Sequence, residues 1–275
     1  MSKKLLDILI PAYGNADGIE KILAVVGSNE RSNIIVSDDS SKPSDIKSIR
    51  GLCARHSVIY KTGPRSGAVA NWNFLLSLAS STYCVLVHHD ECFSNTTFIS
   101  ELDAMQGSIE AMVLPVVVTN TKNISRYVYS WQQNILIRCF RSFGPMLNIL
   151  GGPTALLIFK TPRSSEFNPD LVYQVDCEWY SNVLTGVDNK DILFYRGTKI
   201  VSTFFSDSIT NNIRANLKKI VKADKEVLSQ STWGAMMHQW SYVGHFVTFV
   251  YRLVLLPSFI PYYLKHLLRG ENVNR

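Results

Sequence analysis

Apolar residues in the first third of the chain fall into short blocks with two different spacings. LLDILI at 5–10, NIIVS at 33–37, SVIYK at 57–61 and TYCVLV at 82–87 are compact runs of strand length. Runs of this kind predict strands buried on both faces. Between them the apolar positions recur every three or four residues, which predicts helices to about Val26, from Ser44 to Arg55 and over AVANWNFLLSLA at 68–79. Asp17 followed by Glu20 resembles a capping box opening the first helix. Strands alternating with helices in this way indicate an α/β fold: a mainly parallel central sheet covered by helices on both faces.

Beyond residue 90 the pattern loosens. EAMVLPVVV at 110–118 predicts a further strand, GGPTALLIF at 151–159 a loop and strand, and DCEWYSNVL from Asp176 a helix. No repeat or flexible linker divides the chain, so the expected organisation is one catalytic domain over 1–210, with halves 1–118 and 119–210, and a helical tail over 211–275. Ile213, Leu217, Ile220, Val221, Val227 and Leu228 lie at helical spacing, with Arg214, Lys218, Lys222 and Lys225 as a separate basic stripe. The aromatic stretch that follows is cut by Arg252, Pro257 and Pro261 into runs shorter than the roughly 20 residues of a membrane span. Two readings of this tail stand level. It lies at a membrane interface, basic stripe on anionic headgroups, or it packs on the protein or on a second subunit.

Composition narrows the class. At 46% hydrophobic residues, the 275-residue chain is a folded globular protein. Its five cysteines (Cys53, Cys84, Cys92, Cys139 and Cys177) form no CxxC pair, which argues for reduced thiols rather than a disulfide framework. MSKKLLDILIP is too short an apolar stretch for an export signal, so a cytoplasmic location is expected, with any membrane contact peripheral and on the inner face. The net charge of +6 resides in the tail, where nine Lys and Arg face three acids from Asn211 onward. That argues against a nucleic-acid groove and for a surface partner of the tail.

In parallel sheets ligands collect at the carboxyl ends of the strands, which places PAYGN, DDSS and HHDE on one rim. HHDE offers metal-capable side chains, but adjacent histidines on a strand end point to opposite sides, which disfavours zinc. A hard divalent ion held by a carboxylate and by substrate phosphates is the more natural occupant. IPAYGN, VSDDSS, GPRSGAVANWN and VHHDE, in that order, resemble the nucleotide-binding half of family 2 inverting glycosyltransferases of the A-type (GT-A, Rossmann-like) fold, bacterial surface-polysaccharide type. The resemblance covers roughly 5–200.

The resemblance implies site roles. Pro11, Ala12 and Tyr13 form the loop against the nucleotide base; Asp39 contacts the base and Asp38 supports the loop. Arg65 and Asn71 fall in the region facing the donor. The family's Asp-x-Asp metal motif falls on His88, His89 and Asp90, with His88 replacing its first acid. Asp90 becomes the main ligand of Mg or Mn, Glu91 and His88 further candidates, and His89 a donor-side residue. Asp176 takes the position of the general base, with Glu178 in reserve, and Gly151 and Gly152 that of an acceptor loop.

A uridine diphosphate sugar is the expected donor and a glycan or lipid-linked glycan the expected acceptor. A degenerate sugar-nucleotide-binding protein that lost turnover, motivated by His88, and a nucleotidyltransferase are the alternatives. A dinucleotide oxidoreductase fails for want of GxGxxG. Trp72 and Trp131 are open to two roles, stacking on sugars or packing in a core or interface.

Overall fold

A computed structural model describes residues 4–27, 29–119, 125–140, 157–161, 166–203 and 216–230, with isolated positions between 253 and 260. The first four strands are β1 (Leu6–Ala12), β2 (Ser32–Asp38), β3 (Ile59–Thr62) and β4 (Tyr83–Leu86). They alternate with α1 (Ala16–Val26), α2 (Pro43–Arg55) and α3 (Ala68–Ser77), as the spacing predicts. There follow β5 (Glu91–Phe93), α4 (Thr97–Ala104), β6 (Ala111–Val113), β7 (Val116–Thr119), β8 (Ser125–Val128) and α5 (Ser130–Phe140). The last elements are β9 (Leu157–Lys160), α6 (Val175–Leu184), β10 (Ile192–Phe194), β11 (Ile200–Thr203) and a final helix, α7 (Leu217–Ser229).

The main sheet has seven strands in the order β10-β6-β9-β4-β1-β2-β3. All its pairings are parallel except those of β9, which runs antiparallel to both β4 and β6. Every residue of β1 is buried, so a largely apolar run sits in the interior of the sheet. Asp7 interrupts that run, and its carboxylate is satisfied by Ser80 N, Ser81 N, Ser81 Oγ and Asn33 Nδ2 at 2.6–3.0 Å. The acid thus fixes the turn from α3 into β4 at the rim opposite the site.

Three expectations are corrected. The cap of α1 is Asn15, whose Oδ1 accepts from Gly18 N at 3.0 Å, so Asp17 lies inside the first turn and the Asp17–Glu20 box does not form. EAMVLPVVV is two strands rather than one: β6 joins the main sheet, while β7 joins a second sheet of order β5-β11-β7-β8. Pro115 lies between them, where a residue without an N–H ends a ladder. The third strand starts at Ile59, because Ser57 takes a left-handed conformation (φ 54°) as α2 ends.

The helix of the basic tail packs on the body of the protein. Leu228 is buried and Val227 lies against the core, while Lys218, Lys219, Lys222 and Lys225 are exposed. No helix among the described residues is long and apolar enough to cross a membrane. Arg214 and the aromatic stretch beyond residue 230, apart from a few positions, lie outside the described residues.

Candidate active site

The ends of β1 and β2 are bound to one another and to the loop after β3. Asp39 N donates to Ala12 O at 2.9 Å, and Gly14 N to Ser40 Oγ at 2.9 Å. Asp38 is buried; its carboxylate accepts from Ser40 N at 2.9 Å and from the Tyr60 hydroxyl at 3.0 Å. Burial and that bond to Asp38 push the Tyr60 phenol up, while the Arg50 guanidinium lies 5.0 Å over its ring. Asp38 therefore supports the loop from within.

Asp39 accepts from Arg65 N at 2.7 Å, with Arg65 held at φ 56°. A Cβ on Gly63 would stand 2.4 Å from Asp39 Oδ1 and 3.0 Å from Asn71 Oδ1, so the loop passes the acids only as glycine. Tyr13 stands on the rim, 63% exposed. Asn71 is buried, donates Nδ2 to Ser37 O at 3.1 Å and accepts from Ser37 Oγ. Its amide is thus committed to holding the end of β2 from α3.

The turn after β4 carries the three positions of the metal motif. His88 and His89 meet different elements, His88 the helix α3 and His89 the strand β1. The His88 ring stacks on Trp72, centroids 5.1 Å apart, and its Nε2 is buried without a hydrogen-bond partner. His89 Nδ1 lies 3.3 Å from Pro11 O, tying the turn to β1. Burial holds the His89 imidazole below its usual range, against the opposing pull of the Asp90 charge and the Pro11 carbonyl.

The same turn is seated on α1. Asn15 Nδ2 donates to His89 O at 3.3 Å, and a Cβ on Gly18 would fall 1.9 Å from that oxygen. Asp90 is half-buried, whereas Glu91 already belongs to β5 and is buried in the second sheet. The trio His88, Asp90 and Glu91 does not converge: no group of three or more His, Cys, Asp or Glu side chains able to hold an ion forms among the described residues. Asp90 stands in the turn between β4 and β5.

Asp176 lies in the first turn of α6, half-buried, with Trp179, Val183 and Leu184 turned into the core. Trp179 stacks on Phe167 at 4.5 Å, and Phe167 meets Trp72 edge-on at 5.0 Å. A continuous aromatic column therefore runs from His88 through Trp72 and Phe167 to Trp179. Asn73 pins the middle of it, donating Nδ2 to Phe167 O at 2.9 Å and accepting from Phe167 N at 2.7 Å.

Glu178 accepts from Asn182 Nδ2 at 2.8 Å; burial raises its carboxyl, that bond partly opposing the shift. Burial and then the Asp176 charge push the Cys177 thiol up to about 12, and burial first drives Cys84 to about 12, so neither thiol acts as a nucleophile near neutral pH. Gly151 and Gly152 lie outside the described residues. Trp72 is a buried member of the column, and Trp131 is exposed.

Residues 7–161 match the family described as Glycosyl transferase family 2. The chain belongs to glycosyl transferase family 2. No curated protein sequence matches it. Among solved structures, S. aureus TarS 1–349 is similar at TM-score 0.54 and 12% identity over 72% of this chain and 60% of that one. The mannosyltransferase PcManGT from Pyrobaculum calidifontis, in complex with GDP-Man and Mn2+, is similar at TM-score 0.53 and 12% identity over 98% and 89%. TarS 1–349 in complex with UDP-GlcNAc gives 0.52 and 10% over 74% and 60%. The chain thus spans about 60% of the TarS 1–349 chain. At these identities the likeness is one of fold, and it bears out the mainly parallel GT-A architecture.

Two residues of this family 2 chain were not legible in the sequence. Asn73 gave no signal beyond being one amide in a helix. Asp224 did: it falls on the apolar stripe of α7, seven residues after Leu217 and four before Leu228. An acid at a core position of an amphipathic helix asks for a buried partner.

Proposed function

We propose that this glycosyltransferase moves a sugar, with inversion, from a nucleotide-diphosphate sugar, a uridine one first, to a hydroxyl of a glycan or lipid-linked glycan in surface-polysaccharide synthesis. Tyr13 and Asp39 hold the nucleotide base, over a loop fixed by Asp38. The donor set suits Mg or Mn: one half-buried carboxylate, Asp90, leaves most positions of a hard ion to diphosphate oxygens and water. Such an ion stabilises charge on the departing diphosphate. Asp176 accepts the proton of the acceptor hydroxyl as its oxygen bonds to the anomeric carbon, while the bond to the diphosphate oxygen breaks and nucleoside diphosphate leaves.

The aromatic column carries this reading. It joins the turn bearing Asp90 to the helix bearing Asp176 through three successive ring contacts of 4.5–5.1 Å, so the two carboxylates stand on elements packed against a common core. The test is a panel of UDP-sugars and GDP-mannose with Mn2+, followed by thermal shift and by product analysis. A productive donor raises the melting temperature and releases nucleoside diphosphate. Release of pyrophosphate, or no binding and no turnover with any donor, overturns the proposal.

The exposed lysine face of α7 supports peripheral contact with an anionic membrane surface. Flotation with anionic vesicles should weaken when Lys218, Lys222 and Lys225 are neutralised. Unchanged flotation overturns the contact.

A further inference from the structure

We propose that Asp224 is a positioning residue for the proton acceptor, a carboxylate clamp supplied from α7 to the loop and N-cap residue that lead into α6; this rests on the reading of Asp176 as the base. The N-terminus of α6 lacks a cap of its own, since the side chain of the N-cap residue, Gln174, makes no capping bond. The residues before it are not anchored by burial either: Val172 and Tyr173 are exposed. Their backbone N–H groups need acceptors nonetheless.

Asp224 supplies them. Its Oδ1 accepts from Val172 N at 3.1 Å, and its Oδ2 from Tyr173 N at 2.7 Å and Gln174 N at 2.8 Å. Three consecutive N–H groups converging on one carboxylate form an anion nest. Asp224 is only 1% exposed, so these charge-assisted bonds also offset the cost of burying its carboxylate. Its negative charge at the N-terminus of α6 adds a favourable dipole interaction.

The clamp fixes the residue from which the first turn is built. Gln174 O accepts from Glu178 N at 3.0 Å, and Asp176 lies within that turn. Leu228 and Val227 seat α7 against the core on the face that carries Asp224 inward, four residues before Leu228. The site is therefore completed by a residue some 50 positions further along the chain than the backbone it holds. A base displaced by about 1 Å loses on the order of a hundredfold in rate, so this tether acts on turnover rather than on donor binding.

The experiment compares Asp224→Asn with Leu228→Ala, which removes core packing of the same helix and keeps the Asp224 carboxylate. Nucleoside diphosphate release from UDP-N-acetylglucosamine and from GDP-mannose with Mn2+ gives kcat. Donor affinity, melting temperature and hydrogen exchange at the amides of Val172, Tyr173 and Gln174 are measured on the same preparations. Asp224→Asn is expected to lower kcat by roughly tenfold to a hundredfold, leave donor affinity unchanged and expose the three amides to exchange. Leu228→Ala lowers the melting temperature but retains more of kcat and keeps the amides protected.

Wild-type kcat in Asp224→Asn, or equal losses of kcat in the two variants at matched melting temperature, overturns the proposal. Should Asp224→Asn fail to fold, Asp224→Glu carries the comparison, with partial rescue expected because the carboxylate is retained. The two readings fail separately. Asp176→Asn that still turns over donor removes the base assignment, whereas amides as protected in Asp224→Asn as in wild type remove the clamp.

Discussion

At the donor end, Pro11, Ala12 and Asp38 stand on strands in continuous parallel register from Leu6 opposite Ser32 to Ala12 opposite Asp38. At the acceptor end, Asp176 stands on a helix tied to the rest by Asn73, by the aromatic column and by Asp224. The first arrangement is built from neighbouring βα units, each closing on the one before. The second is built from side chains that reach across 94 and about 50 residues of sequence. In the proposed assignment, sheet register therefore secures nucleotide binding locally, while proton transfer depends on a few long-range contacts, any of which one substitution removes.

The largest expected effect separates the two ends directly. Asp176→Asn should lower turnover by about 10²–10⁴-fold while donor affinity, measured by calorimetry with Mn2+, stays unchanged. Asp90→Asn should do the reverse in kind, weakening Mn2+-dependent donor binding by at least about tenfold, or roughly 1.4 kcal/mol. Equal loss of binding in both variants would break the comparison.

Gly18→Ala drives a methyl group into the carbonyl of His89 and should cost about 1–3 kcal/mol of stability. Because the strain falls on the turn bearing Asp90, donor affinity should drop together with the melting temperature. Asn73→Ala removes both bonds to Phe167 and should cost roughly 1–3 kcal/mol. Its signature is reduced turnover with donor affinity retained, the opposite of the effect at Gly18.

The smallest effect concerns Glu178. Its carboxyl is raised above the ordinary 4.5 by burial, so the fold favours the protonated form. That contribution is complete below 4.5 and is lost as pH rises through the raised value. Glu178→Gln stays neutral throughout, so the melting temperature of the variant relative to wild type should climb from acid to neutral pH. A difference that does not vary with pH would contradict the shift.

Legibility in the sequence followed the same division. The four donor-side strands and their helices were readable because a buried parallel strand is an uninterrupted apolar run and an amphipathic helix has its own period. The cap at Asn15 was missed because Asp17 and Glu20 mimic the box two residues late. The division at Pro115 was missed because a proline between apolar residues does not say which sheet each side will join. On the acceptor side Asp176 was reached only by resemblance, since an acid early in a helix is also an ordinary dipole partner. Asp224 was visible as an acid on an apolar stripe, but its partners are backbone N–H groups, which carry no mark in sequence.

The antiparallel strand β9 has a consequence for any attempt to isolate the donor-binding portion. It fills a slot between β4 and β6, both wholly buried, and the family 2 match ends one residue after it. A fragment stopping short of Leu157 would hold all the donor-side residues yet leave two apolar strand edges open. Such edges are templates for pairing between molecules. Truncated at that point, the chain should self-associate rather than persist as a soluble nucleotide-binding module.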